Sequence, residues 1–243
     1  MCSSNGGVFK FTTSILPADC VGRLSDGVSA IEVVIENCMP ALNRLLAPVP
    51  QTGQVKCYGR DTRISSCAGT GQDGELQKGV KLPTPRFIDN GNGTFTDNLT
   101  GLIWLKNAAC LETVRPWLAS LDAIVELNAL GTMETHDCDD RSNNGTHQTD
   151  WRMPNIRELM SLLNYAFRRP AFSNAAGTDQ AQCLPEVDCP FSNWQFSEIW
   201  SSTSVSDSDI DAGRAWQVNF AFGTADPLDK ALPNGLLAVR GGS

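Results

Sequence analysis

The run "DSDIDAG" sets carboxylates at every second position, Asp207, Asp209 and Asp211, and closes on Gly213. Alternating carboxylates ahead of a tight turn suit Ca²⁺, a hard cation that takes several oxygens from a bent backbone. The spacing departs from the EF-hand loop, because glycine falls one place late and no Glu completes the ligand set. A solvated acidic loop accounts for the same residues. "DCDDRSNNG", with Asp137, Asp139, Asp140 and Asn143, is a second, weaker calcium candidate. "DNGNG" at 89–93 has the composition of a metal loop but is better explained as a hairpin turn. Other chemistry has fewer parts. The two histidines, His136 and His147, share one polar loop with Cys138, a trio that mimics a zinc cluster. No Ser-His-Asp arrangement can be argued from two loop histidines. "GTGQDG" lacks the Lys-Ser/Thr that ends a phosphate loop, and no helix is expected after it. The expectation is a protein that binds and does not catalyse.

The cysteines and the charge set the surroundings. Nine cysteines stand at 2, 20, 38, 57, 67, 110, 138, 183 and 189, with no Cys-x-x-Cys among them. Disulfides in an oxidising compartment are the economical reading. Cys57–Cys67 and Cys183–Cys189 would close short polar loops that have little core of their own, and Cys20–Cys38 would add a further bridge. The odd cysteine is Cys2. "MCSSNGG" resembles the start of a mature lipoprotein, which would give a lipid anchor; alternatively Cys2 pairs with Cys20 or Cys38 and another thiol is left over. Net charge is −8, from 27 acidic and 19 basic residues. That average field repels nucleic acid and other polyanions, and Arg168-Arg169 is the only adjacent basic pair to offset it. No apolar run approaches the roughly 18 residues that would span a bilayer.

The elements that must position these groups fall into three stretches. Residues 1–50 read as a short helical segment for anchoring or assembly: Val28, Ile31, Ile35, Cys38, Leu42, Leu45 and Val49 follow heptad spacing, interrupted at Pro40. An amphipathic hairpin fits that pattern as well as a coiled-coil stalk. Residues 51–84 read as a hairpin pinned by Cys57 and Cys67, then a Gly-rich linker. Residues 85–243 read as strand, Asn90-Gly91 turn, strand, Thr100-Gly101 turn and strand, followed by two helices and three more strands. The first helix carries Trp117, Leu121, Ile124 and Leu127 or Leu130 on one face, with Gly131 as its C-terminal cap. The second runs from Pro154 to Phe167, with Ile156, Leu159, Leu162 and Leu163 on one side and Pro170 beyond it. The last strands are "EIWSSTS", "RAWQVNFAFG" and "LLAVRGG". In the middle one Trp216, Val218, Phe220 and Phe222 alternate with Gln217, Asn219 and Ala221, which predicts one buried face. Trp104, Trp200 and Trp216 are assigned to the core. The fold class is α+β.

"RFIDNGNGTFTDNLTGLIWLKN", "DWRMPNIRELMSL", "WSSTS", "AWQVNF" and the terminal "VRGG" occur in the order found in the Lcl C-terminal domain family, which is named after a bacterial collagen-like surface adhesin. The resemblance covers about residues 85–243. It implies a C-type-lectin-like fold, two helices against a twisted antiparallel sheet, related in shape to formylglycine-generating enzymes and to retroelement-diversified receptor binders. The cysteine pair those enzymes use near the C-terminus has no counterpart after Cys189. Cysteine-bearing members of the family suggest a Cys110–Cys138 bridge. Arg152, Glu158 and Arg240 are family-like positions expected to form a salt bridge joining helix to last strand.

On this scaffold the resemblance implies an extracellular or cell-surface bacterial module that binds a carbohydrate or a surface protein through loops at one end of the sheet. The loops 204–214 and 223–235 carry the expected contacts, Ser204, Ser206, Ser208 and Arg214, with Gln217 and Asn219 as outward strand positions between them. The family's best-known member binds sulfated glycans, a ligand that the net charge of −8 disfavours here. Two alternatives stand beside this reading: a structural subunit of an extracellular filament, trimeric or polymeric through residues 1–50, and a phage or retroelement-diversified receptor binder.

Overall fold

A computed structural model describes residues 49–205 and 212–241. The heptad segment, Cys2, the Cys20–Cys38 bridge, and Ser206, Asp207, Ser208, Asp209 and Asp211 lie outside the described residues. The chain divides after Pro50, and its second unit is Gln51–Ser243.

This second unit is a mixed α/β structure, mostly sheet. Residues 51–84, read from sequence as hairpin and linker, belong to this unit. Tyr165 N–H donates to the Thr52 carbonyl at 2.8 Å, and Gly53 lies against the Asn164 side chain. The Cys57–Cys67 disulfide closes the loop, and a single-turn helix follows, α1 (Asp73–Leu76).

The strand–turn–strand pattern gives β1 (Phe87–Asp89), β2 (Thr94–Asp97) and β3 (Ile103–Leu105), paired antiparallel in sequence order. β11 (Val239–Arg240), near the end of the chain, adds to β3, so the two ends of the domain meet in one sheet. Between them come α2 (Trp117–Leu130), the small hairpin β4 (Thr132–Met133) and β5 (His136–Asp137), and then α3 (Ile156–Ser161). A second hairpin, β6 (Gln182–Cys183) and β7 (Glu186–Asp188), precedes a separate three-stranded sheet. That sheet is β8 (Glu198–Ser204), β9 (Arg214–Asn219) and β10 (Thr224–Asp229), all antiparallel. The described strands therefore form two larger sheets and two small hairpins, and not one sheet. One core lies around Trp104, Phe95, Phe172, Phe191 and Phe220, and another between α2 and Trp151, Trp200 and Leu236.

Helix α2 ends as its sequence predicts. Gly131 adopts φ 75° and returns its N–H to the Leu127 carbonyl, and Leu127 is the buried residue while Leu130 is exposed. Helix α3 is shorter than predicted. Pro154, expected in the first turn, lies before it, and Asn155 is the cap: the Asn155 side chain accepts from the N–H groups of Arg157 and Glu158, and Glu158 accepts from the Asn155 N–H, a full capping box. After Ser161 the chain leaves the helix because Asn164 offers another set of partners. Its N–H donates to the Ala171 carbonyl and its side chain accepts from Ala166 N–H. Leu162 and Leu163 stay buried, but Phe167 is only half-buried.

Two further expectations are corrected in the second sheet. Trp216 is half-buried and Phe222 is exposed, whereas Ala215, Gln217, Val218 and Phe220 are buried. Strand β9 is covered on both faces over its middle, so simple alternation fails. The stretch 223–235, expected as a loop, contributes β10. Pro227 is tolerated because β10 is an edge strand whose outer side needs no N–H.

Candidate functional site

On the scaffold side two buried carboxylates are satisfied internally. Arg86 and Asp97, 1% and 0% exposed at their side chains, form a two-pronged ion pair at 2.9 and 2.8 Å. Arg86 also donates to the Ser161 carbonyl, while Asp97 accepts from Leu99 N–H and the Thr100 hydroxyl. Asp140, fully buried, accepts from the Trp151 indole at 2.7 Å, from Gln148 N–H, and from the Ser142 N–H and hydroxyl. Burial pushes the Asp140 carboxyl up, but these donors outweigh it and hold it below the usual aspartate range. The same loop closes on the first hairpin: a Cβ on Gly93 would meet the Asp139 carbonyl oxygen, so only glycine lets the two backbones approach.

These contacts remove the second calcium candidate. Asp140 is spent on Trp151, Asp137 pairs with Arg141, and among the described residues no three acidic, histidine or cysteine side chains group to hold a metal. The zinc-like trio is also dispersed. Cys138 bridges Cys110, with Cα atoms 5.0 Å apart; His136 lies 3.2 Å from Glu112; His147 packs against Gly131. Cys183–Cys189 is formed as well. The expected ion pair at the last strand is present as two pairs. Arg152 engages Glu158 through two 2.6 Å bonds and donates to the Gly241 carbonyl, and Arg240 pairs separately with Asp150. Hydrogen bonding to Glu158 raises the Arg152 pKa.

The structure splits the predicted contact set. Ser204 and Arg214 sit together at one end of the β8–β9 pair, where Arg214 donates to the Pro227 carbonyl. Asn219 is at the other end of β9, five residues away, or roughly 16 Å at strand rise. It donates to Glu198 and accepts from the N–H groups of Ala221 and Phe222, so it organises the 219–223 turn. Gln217 does not face outward. It is 8% exposed, and its carbonyl oxygen accepts from buried Asn234 at 2.6 Å.

At the Asn219 end a cleft of ≈ 710 Å³ opens between three segments: Arg169–Pro170, the 179–184 stretch, and Trp194–Ser197, with Ala221 at its edge. Its walls are held from behind. The Asn174 side chain accepts from three N–H groups, of Gly177, Thr178 and Asp179, and donates to Asp188. Gln180 donates to the carbonyls of Arg168 and Pro170, Phe220 N–H donates to Ser197, and Cys183–Cys189 staples the β6–β7 hairpin. The Trp194 ring rests edge-on against Phe172 and Phe220. Among the described residues, no partner engages the side chains of Gln182, Gln195 and Ser197 or the Trp194 indole N–H. Arg168 and Arg169 lean on the exposed ring of Phe222, 4.8 and 5.3 Å from its centroid. Sequence reading missed this site because its walls are far apart in the chain. The only local signal was the Arg168-Arg169 pair.

The Lcl C-terminal domain family model matches residues 93–240, and the chain belongs to that family. No curated protein matches the chain. Membership groups it with surface-associated, adhesin-like modules. Three disulfides suit an extracellular setting, and no described helix is long and apolar enough to cross a membrane.

Proposed function

We propose that this member of the Lcl C-terminal domain family is a non-enzymatic extracellular binding module, recognising carbohydrate or a surface protein through the cleft beside the 219–223 turn. The observation that carries the reading is the contrast within that cleft. Its backbone is fixed by hydrogen bonds and a disulfide, yet Gln182, Gln195, Ser197 and the Trp194 N–H are left without partners among the described residues. Unpaired donors and acceptors around a cleft whose backbone is fixed are what a binding site offers. Both histidines lie outside the cleft lining, which supports reading it as a site that holds a ligand. We read the fold as C-type-lectin-like, supported by the pairing of β3 with β11 and by two helices flanking the strands. A calcium role for Asp207, Asp209 and Asp211 belongs to the same proposal, and a melting curve that rises with added Ca²⁺ is its test.

The full chain applied to an array of glycans and surface proteins should give a discrete set of ligands; an array without any would refute the reading. The filament-subunit alternative has one observation in its favour, the outward apolar residues of α2, with Leu118 65% and Val125 68% exposed. Sedimentation separates the two: a binding module stays a monomer or a closed trimer at high concentration, while a filament subunit polymerises.

A further inference from the structure

We infer that the rim formed by Arg168, Arg169 and Phe222 recognises a carboxylate carried on an otherwise neutral sugar, an acid of the uronic or sialic type; this rests on the cleft being the binding site. Five arginines are matched to carboxylates: Arg86 with Asp97, Arg115 with Glu134, Arg141 with Asp137, Arg152 with Glu158 and Arg240 with Asp150. Arg60, Arg63, Arg157, Arg168 and Arg169 have no such partner among the described residues, and of these Arg168 and Arg169 are the two that lie over an aromatic ring. In a chain with 27 acidic residues, neither has a carboxylate partner among the described residues, and both are exposed. Each stacks on the Phe222 ring instead. Stacking uses the face of a guanidinium and leaves its N–H edge free, the edge that matches a carboxylate in two parallel hydrogen bonds. It also fixes the side chain in advance, so less entropy is lost when the anion binds.

The backbone supports the same placement. Arg169 is held at φ 59°, a left-handed conformation that a non-glycine residue adopts at a cost, and Gln180 secures it by donating to the carbonyls on either side, of Arg168 and Pro170. The 219–223 turn, organised by Asn219, sets the Phe222 ring beneath both guanidinium groups. Of the three rim residues Arg169 lines the cleft itself, together with Trp194, Gln195 and Ser197, whose neutral polar groups are of the kind that hydroxyl groups satisfy. Asp179 also lines it, and the whole chain carries −8. A densely sulfated polymer would need a longer basic track than two arginines provide, whereas one carboxylate on a neutral oligosaccharide needs no more than that.

The test uses the full chain and a small set of probes: sialyllactose, a disaccharide ending in glucuronic acid, the carboxyl-reduced form of each, and heparin. The expected result is binding of at least one acidic probe, weakened tenfold or more by carboxyl reduction and by either Arg168→Gln or Phe222→Leu, with Tm unchanged in both variants. The two acidic probes report which source of carboxylate fits. The inference is overturned if no acidic probe binds, if reduction leaves affinity unchanged, if Arg168→Gln binds as the wild type does, or if heparin binds more tightly than both acidic probes. If Gln195→Ala abolishes binding of a neutral ligand that Arg168→Gln leaves intact, this inference fails while the cleft assignment stands.

Discussion

The loop from Asp137 to Trp151 and the rim of the cleft are both irregular, polar and tied by a disulfide, yet they treat their polar groups in opposite ways. In the first, Asp140 accepts four hydrogen bonds while wholly buried, and Cys138 anchors the stretch to the residues before α2. In the second, Asn174 and Gln180 perform the same internal service, but the outward Gln182, Gln195, Ser197 and Arg168 are left open. A loop that satisfies its buried polar groups internally is part of the scaffold. A loop that fixes its backbone and leaves side chains unsatisfied has somewhere for a ligand to bind. The Arg86–Asp97 pair is the extreme of the first kind, because each partner also holds neighbouring backbone or hydroxyl groups.

Breaking the closed side should therefore cost stability, and breaking the open side should not. The largest effect is expected for Asp97→Ala, which strands the Arg86 guanidinium in the core; loss of one member of a buried pair costs about 3–5 kcal/mol. For a unit of this size Tm should fall on the order of 10 °C, as calorimetry would show. Replacing both Cys110 and Cys138 by Ser should cost about 2–5 kcal/mol, read from denaturant midpoints under oxidising conditions. A third effect depends on pH. Because the folded-state pKa of Asp140 is depressed, its contribution is complete above the unfolded value near ~4 and is lost as pH falls through the lower folded value. Acid titration should show this loss, and Asp140→Asn should be less stable at pH 7 with a shallower acid slope. Asn155→Ala, which removes the capping box of α3, should cost about 1 kcal/mol.

Much of the scaffold was legible in the sequence, and the reason is that its signals are local. Asn90-Gly91, Thr100-Gly101 and Gly131 mark turns and a cap that depend on a few neighbouring residues, and the runs "EIWSSTS" and "AWQVN" became β8 and β9. The short loops closed by Cys57–Cys67 and Cys183–Cys189 were legible in the same way. Where a distant partner decides, the local signal fails. Gln217 read as outward from alternation alone, but Asn234 arrives from another segment and buries it. The helical pattern through Phe167 was real, but Asn164 found Ala171 and ended it early. The Arg86–Asp97 pair left no mark in the spacing, and the cleft gathers residues from 169 to 221 that no window spans.

The smallest stability effect and the largest functional one should coincide in a single variant, Gln182→Ala with Gln195→Ala and Ser197→Ala. These side chains make no hydrogen bond or ion pair among the described residues, so each change should move stability by no more than about 0.5 kcal/mol. Measuring Tm and binding on the same array of glycans and surface proteins tests most directly whether the cleft is the recognition site. The expected result is a melting curve like the wild type's and the loss of the ligands that the wild type binds. A variant that melts normally and keeps those ligands would show that recognition lies elsewhere on the molecule.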